Sequence, residues 1–180
     1  MFENDIEKVL YSADDIKKRI KELAAEIEKD YAGQEIIMVC LLKGAAPFMA
    51  DLAREVNLFV QYDFMSVSSY GDSSTTSGNV KITKDLSSDI IGKNVIVVED
   101  IVDTGLTLDY ILRILNERQP ASLKLCALLD KKDCRKINVD IDYKGFEVPD
   151  EFIVGYGLDY AQKYRNLSYV GILKKSIYET

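Results

Sequence analysis

The segment from Val95 to Thr107, VIVVEDIVDTGLT, constrains the fold more than any other stretch of this chain. Asn94 to Val98 is β-branched with no polar face, which suits a strand covered on both sides. It runs directly into Glu99 and Asp100 at its carboxyl end. A third acid follows at Asp103, and Thr104-Gly105-Leu106-Thr107 opens a stretch in which Leu108, Ile111, Leu112 and Leu115 recur at helical spacing before Pro120. A buried strand that turns at once into a helix is half of a strand-helix-strand unit. Such units build parallel sheets whose ligands sit at the carboxyl ends of the strands.

The rest of the chain repeats this alternation. Ser12 begins Ser-Ala-Asp-Asp, a capping-box pattern, and Ile16, Ile20, Leu23, Ala24 and Ile27 then fall on one helical stripe. Glu35 to Leu42 (EIIMVCLL) reads as a strand buried on both faces and ends in Lys43-Gly44. Pro47 sits early in a second helix marked by Phe48, Leu52 and Val56. From Leu58 to Ser66 the pattern alternates, with Val60, Tyr62 and Phe64 expected on the covered side and Gln61 and Asp63 on the wet side. Further strands are expected over Leu123 to Leu129, Phe152 to Tyr156 and Tyr169 to Leu173. The fold class is therefore α/β, a mostly parallel sheet flanked by helices, and 180 residues predict a single domain over 1–180.

Composition narrows the chemistry. The chain has no histidine, which excludes Ser-His-Asp hydrolases and histidine-ligated zinc enzymes and leaves proton transfer to Asp, Glu, Lys, Tyr or Cys. Cys40, Cys126 and Cys134 show no close pair, so neither a disulfide framework nor a zinc site is expected. A net charge of -7 argues against a nucleic-acid surface. No run approaches the ~20 apolar residues of a membrane span, and the acidic start MFENDIEKVL is unlike a signal peptide, so a cytoplasmic setting is expected.

Thr104, Gly105 and Thr107 offer backbone N–H groups and hydroxyls at a helix N-terminus, where the helix dipole favours a phosphate. Glu99 and Asp100 suit sugar hydroxyls or a hydrated magnesium ion. Acids beside a phosphate nest repel unless a cation or hydroxyl groups intervene, so a sugar phosphate with magnesium accounts for both features. The stretch Ser68 to Asn79 (SSYGDSSTTSGN), rich in Ser, Thr and Gly, reads as a mobile loop over about 68–79, of the length that active-site lids use.

The segment VIVVEDIVDTGLT resembles the phosphoribosyl pyrophosphate signature of type I phosphoribosyltransferases. Leu41-Leu42-Lys43-Gly44, Ser68-Ser69-Tyr70, Leu128-Leu129-Asp130-Lys131-Lys132 and the run from Gly145 to Tyr160 are similar, in order, to the hypoxanthine-guanine branch. The resemblance implies a central sheet with a small hood formed by the terminal segments. It also implies an activity: magnesium-dependent transfer of a 5-phosphoribosyl group to N9 of hypoxanthine or guanine, giving IMP or GMP and pyrophosphate. By position, Glu99 and Asp100 face the ribose hydroxyls and residues Asp103, Thr104, Gly105, Leu106 and Thr107 cradle the 5′-phosphate. Asp103 is also the acid/base near purine N7. Lys131 reaches the C6 oxygen, Phe152 stacks on the base and Ile153 meets its edge through the backbone. Asp159 ligates magnesium, with Glu99 and Asp100 as the other candidate ligands, and Arg165 meets pyrophosphate. Lys43 and Gly44 form the pyrophosphate loop, which in the family often holds a non-proline cis peptide, and Ser69 and Tyr70 work in the lid. Relatives are dimers or tetramers, so a homo-oligomer is expected. The rival reading is a regulatory protein that keeps the fold and binds nucleotide or RNA without turnover. A phosphate-accepting receiver domain leaves the Thr-Gly-x-Thr turn and the long loop unexplained.

Overall fold

The computed structural model describes residues 4–69 and 80–179. Most of the loop expected over 68–79, including Tyr70, lies outside the described residues. In chain order the elements are β1 (Ile6–Tyr11), α1 (Ala13–Asp30), β2 (Ile36–Leu42), α2 (Ala46–Glu55), β3 (Val60–Ser69), β4 (Val80–Lys84), β5 (Asn94–Val102), α3 (Leu106–Glu117), β6 (Ser122–Asp130), β7 (Tyr143–Glu147), β8 (Ile153–Val154), β9 (Val170–Leu173) and α4 (Lys175–Tyr178). A single 3-10 turn, Lys132–Cys134, follows β6.

Helix α1 forms where its capping box ends the preceding strand. The Asp15 amide donates to Ser12 Oγ at 3.2 Å, and the Ser12 amide donates back to Asp15 Oδ2 at 2.9 Å. The Ser12 hydroxyl, which donates to Asp15 Oδ2 at 2.6 Å, and then the Ser12 amide hold the Asp15 carboxyl below the usual carboxylate range. The five residues of the predicted stripe, Ile16, Ile20, Leu23, Ala24 and Ile27, are the ones α1 buries.

Six strands form the main sheet in the order β4-β3-β2-β5-β6-β7, with every neighbouring pair parallel except β3 and β4. Because side chains alternate along a strand, each buried strand feeds two cores. Ile36, Met38 and Cys40 of β2 and Ile96 and Val98 of β5 pack with α1 and α2 on one face. Ile37, Val39, Leu41, Val95 and Val97 pack with Leu108, Ile111 and Leu115 of α3 on the other. A second antiparallel sheet, β1-β9-β8, joins both ends of the chain around Ile6, Val154, Tyr164 and Leu173, forming the expected hood.

Three readings of the sequence need correction. β5 does not end at Val98 but continues to Val102, with Glu99, Ile101 and Val102 in register with β6, so Glu99 and Asp100 are strand residues rather than the start of a loop. In β3 the two sides are not divided as the alternation suggests. Tyr62 is 46% exposed, while Asp63 is 3% exposed because its carboxylate accepts the amides of Phe64, Ser87 and Ser88. The strand expected over Phe152 to Tyr156 shortens to Ile153–Val154, because Gly155 and Tyr156 turn with positive φ. Substituting Ser12→Ala removes the acceptor for the Asp15 amide, and urea denaturation is expected to show a loss of about 1 kcal/mol with an unchanged slope.

Candidate active site

The carboxyl ends of β2 and β5 lie side by side and bring Gly44 against Asp100. A Cβ added to Gly44 would overlap the Asp100 carboxylate, so a larger residue there fits only if that carboxylate moves. The Leu42-Lys43 peptide that leads into this contact is cis. Asp100 is 9% exposed and accepts the Ile101 amide at 2.7 Å. Burial, and then the charge of Asp100, push the Glu99 carboxyl well above the usual range. Burial, Glu99 and Asp100 also push the nearby Cys40 thiol up to about 12, so Cys40 is no thiolate nucleophile.

Beyond β5 the chain turns through Asp103, which is exposed, and Thr104 to Gly105, whose φ of 82° makes it the left-handed N-cap of α3. The Thr104 carbonyl is turned outward to accept the amides of Lys136 and Ile137 at 2.9 and 3.1 Å. Gly105 itself has no room for a side chain against the Ile137 carbonyl and Arg135. The turn is thus held from behind. The first-turn amides of α3, which have no intrahelical acceptor, head the helix beside Asp103.

Arg135 does much of this holding, and sequence reasoning missed it. Its guanidinium donates to the carbonyls of Asp103 (3.0 Å) and Val139 (3.2 Å) and forms a short ion pair with Asp130, whose side chain is 4% exposed. Asp130 immediately precedes Lys131, whose amide donates to the Val102 carbonyl at 2.9 Å. One half-buried cation, paired with a buried acid, therefore fastens the Asp103 turn to the Lys131 turn. The position was invisible in the sequence because Arg135 stands in a charged run, KKDCRK, that composition reads as solvated surface.

Lys131 belongs to the same run but is not solvated: its side chain is 12% exposed, Nζ donates to the Glu151 carbonyl at 2.9 Å, and Asp150 lies 3.7 Å away. That bond ties Lys131 to the backbone just before Phe152 and Ile153. Cys134 Sγ donates to Asp150 Oδ1 at 2.9 Å, and this bond, with burial and Asp103, pushes the thiol up to about 12.

The hood supplies the other wall. Ile153 is buried and Phe152 is half-buried. A Cβ on Gly157 would overlap the Gly44 carbonyl, so the 155–159 turn rests directly on the 43–44 loop. Arg165 joins this turn through a 2.7 Å bond to the Gly157 carbonyl and a 2.7 Å ion pair with Asp159. Its Nε is the one buried side-chain polar atom without a hydrogen-bond partner among the described residues.

The structure therefore brings Lys43, Gly44, Glu99, Asp100, Asp103 to Thr107, Lys131, Phe152, Ile153, Asp159 and Arg165 to one linked set of strand ends and turns. Ser69 closes β3, and Tyr70 lies outside the described residues. The set of magnesium ligands expected at Glu99, Asp100 and Asp159 does not form: among the described residues no three acidic or thiol side chains converge as a metal cage. The reason is local, since Asp159 is paired with Arg165 on the hood side while Glu99 and Asp100 belong to β5. Removing the guanidinium in Arg135→Ala leaves Asp130 buried with only Lys144 at 3.4 Å. Thermal or urea unfolding is expected to show a loss of about 3 kcal/mol.

Comparison with known proteins places this geometry. The family profile described as phosphoribosyl transferase domain matches residues 8–161. The hypoxanthine-guanine phosphoribosyltransferase of Bacillus subtilis is 49% identical over 180 residues, covering all of both chains. That of Streptococcus agalactiae is 51% identical over 178 residues and 99% of each. The crystal structure of a hypoxanthine phosphoribosyltransferase from Staphylococcus aureus superimposes with a TM-score of 0.96 at 45% identity, covering 99% of this chain and 97% of that one.

Proposed function

The chain belongs to the phosphoribosyltransferase family, and on that premise we propose that it transfers the 5-phosphoribosyl group of phosphoribosyl pyrophosphate to N9 of hypoxanthine or guanine. The products are IMP or GMP and pyrophosphate. Residues 1–180 act as one domain in this reading, working in the cytoplasm as a homo-oligomer. The observation that carries the choice of base is the anchoring of Lys131. An ammonium has three donors. One is directed at the Glu151 carbonyl, with Asp150 3.7 Å away as an ion-pair partner beyond hydrogen-bond range, which leaves donors for a further acceptor beside Phe152 and Ile153. A 6-oxopurine offers an acceptor at C6, whereas adenine offers an amino donor and leaves the buried charge unmatched.

In the reaction the C1–O bond to pyrophosphate breaks and the C1–N9 bond forms, with positive charge developing on the ribose. Glu99 and Asp100 face the ribose hydroxyls, and the turn from Asp103 to Thr107 holds the 5′-phosphate against the α3 N-terminus. Asp103, exposed at the mouth of this turn, accepts the proton that the purine loses. Lys43, the Gly44 backbone and Arg165 receive the departing pyrophosphate. The unpartnered Arg165 Nε is a donor suited to its oxygens.

Magnesium belongs to this reading as well. The donors present are carboxylates, which suit a hard cation that keeps several waters and takes its remaining ligands from substrate phosphates. Asp159 on the hood, or the Glu99-Asp100 pair on β5, would hold it by one or two carboxylates, and the ion would neutralise charge on the pyrophosphate.

The test is a spectrophotometric assay with phosphoribosyl pyrophosphate and hypoxanthine, guanine or adenine, with and without EDTA. Nucleotide is expected from the 6-oxopurines only, and chelation should abolish it. Asp103→Asn is expected to lower kcat about a hundredfold. Lys131→Ala should raise KM for the base by about tenfold to a hundredfold, the value of a hydrogen bond from a charged donor, and narrow the margin over adenine. No product with any base, despite nucleotide binding, would instead favour a regulatory protein on this fold. In Gly44→Ala the new methyl displaces the Asp100 carboxylate, and turnover is expected to fall at least about tenfold while the melting temperature stays close to that of the parent.

A further inference from the structure

Phe152 is not an isolated ring. Tyr178 of α4 lies against it in a stacked arrangement, with centroids 4.8 Å apart and planes 28° from parallel. Tyr160 meets it edge-on at 5.4 Å and 89°. A flat ring has only two faces, so the Tyr178 stack consumes one, and the edge contact with Tyr160 fixes the rotation of the ring about its own axis. Phe152 nevertheless remains half-buried rather than buried, so part of it is open.

The placement of Tyr178 is set by the same backbone that sets Phe152. The Leu173 amide donates to the Phe152 carbonyl at 2.8 Å, and Ile153 pairs with Ile172 in the β8–β9 ladder. The chain then continues through Lys174, whose amide donates to the Asp5 carbonyl at 2.9 Å, into α4. Ile177 and Tyr178 pack on the hood core around Val154 and Leu173. The separation between the two rings is thus fixed by a few residues of paired strand, not by a long flexible connection.

We propose that Tyr178 is a positioning residue for the purine: it covers the rear face of Phe152 and, with Tyr160, holds the opposite face towards the base. This rests on the reading of Phe152 as the stacking platform. Without Tyr178 the Phe152 side chain gains rotamer freedom that base binding must then freeze out. Tyr178 makes its ring contact with Phe152, whereas the groups assigned to phosphoribosyl pyrophosphate are carried by the β2 and β5 ends and by Asp159 and Arg165, which pair with each other. Base binding and pyrophosphate-sugar binding should therefore respond differently.

The experiment compares steady-state constants of Tyr178→Ala, Tyr178→Leu, Tyr178→Phe and Phe152→Ala with the parent, alongside melting temperatures. Tyr178→Leu keeps apolar bulk on the hood core, so a result survives if the alanine variant folds poorly. The expected result is a rise of about threefold to tenfold in KM for hypoxanthine in the Ala and Leu variants, the range of one aromatic pair. KM for phosphoribosyl pyrophosphate should be unchanged, and Tyr178→Phe should behave like the parent. An unchanged base KM in both the Ala and Leu variants, with Phe152→Ala impaired, would overturn the role of Tyr178 alone. A fall in base KM in those two variants would overturn it too, since Tyr178 would then stand on the face the base needs. If Phe152→Ala also leaves the base KM unaltered, the stacking platform itself is misassigned.

Discussion

Where β2 and β5 end side by side, Gly44 lies against the Asp100 carboxylate with no space for a side chain, and the Gly44 carbonyl in turn supports Gly157 of the hood. The rest of the site depends on these two contacts between backbone and neighbour. A parallel sheet delivers its strand ends to one edge but leaves them about 4.8 Å apart, with loops that would ordinarily diverge into solvent. Glycine at both positions lets the 43–44 loop sit between a strand acid and the hood turn, so that elements more than a hundred residues apart in sequence meet without intervening side chains. The two halves of the molecule, a sheet with helices on both faces and a small antiparallel hood, are joined at this point by backbone shape.

The polar groups around this junction are held by one another more than by the apolar core. Arg135 fastens the Asp103 carbonyl and Asp130, Lys131 reaches across to the Glu151 carbonyl, and Arg165 bridges Gly157 and Asp159. Lys131 and Arg135 are largely shielded from water and Arg165 partly so, and in such a setting a hydrogen bond to a charged group counts for more than it would in water. The cost of burying these charges is offset only while the partners remain in place. A site built in this way is rigid in the directions its partners fix, and pre-organised dipoles and charges are what a reaction with a developing cationic ribose requires.

Much of the architecture was legible from periodicity alone. The α1 stripe is recovered residue for residue, and β2, β5, β6 and α3 lie where apolar runs and helical spacing put them, because buried elements must display their pattern to bury it. What escaped has a common cause. β1 (IEKVLY) carries two adjacent charges and buries only Ile6, and β4 (VKITK) is an edge strand with an alternating pattern only five residues long. Asp63 was placed on the wet side because an acid in an alternating strand ordinarily belongs there, and the two amides of Ser87 and Ser88 that bury it come from a segment more than twenty residues away. In the site, acids and phosphate-binding turns could be read from their sequence order beside a strand. Arg135 and Tyr178 could not, since each acts through a tertiary contact that no local pattern encodes.

Charge reveals the same division between what composition says and what a site needs. The chain carries a net charge of -7, yet the reaction proposed for it takes a polyanionic substrate. The two are compatible because charges exposed to water are screened over about 8 Å at physiological ionic strength, while partly buried groups act locally with little screening. Lys43, Lys131, Arg135 and Arg165 all come from the strand ends and turns that form the site, and three of them are fixed there by hydrogen bonds to carbonyl groups rather than neutralised by carboxylates alone. A carbonyl orients a cation without cancelling its charge. The guanidinium of Arg165 keeps an Nε donor without a partner and the ammonium of Lys131 spends one donor on the Glu151 carbonyl, so donors for oxygen acceptors remain at the site even though the chain as a whole is acidic.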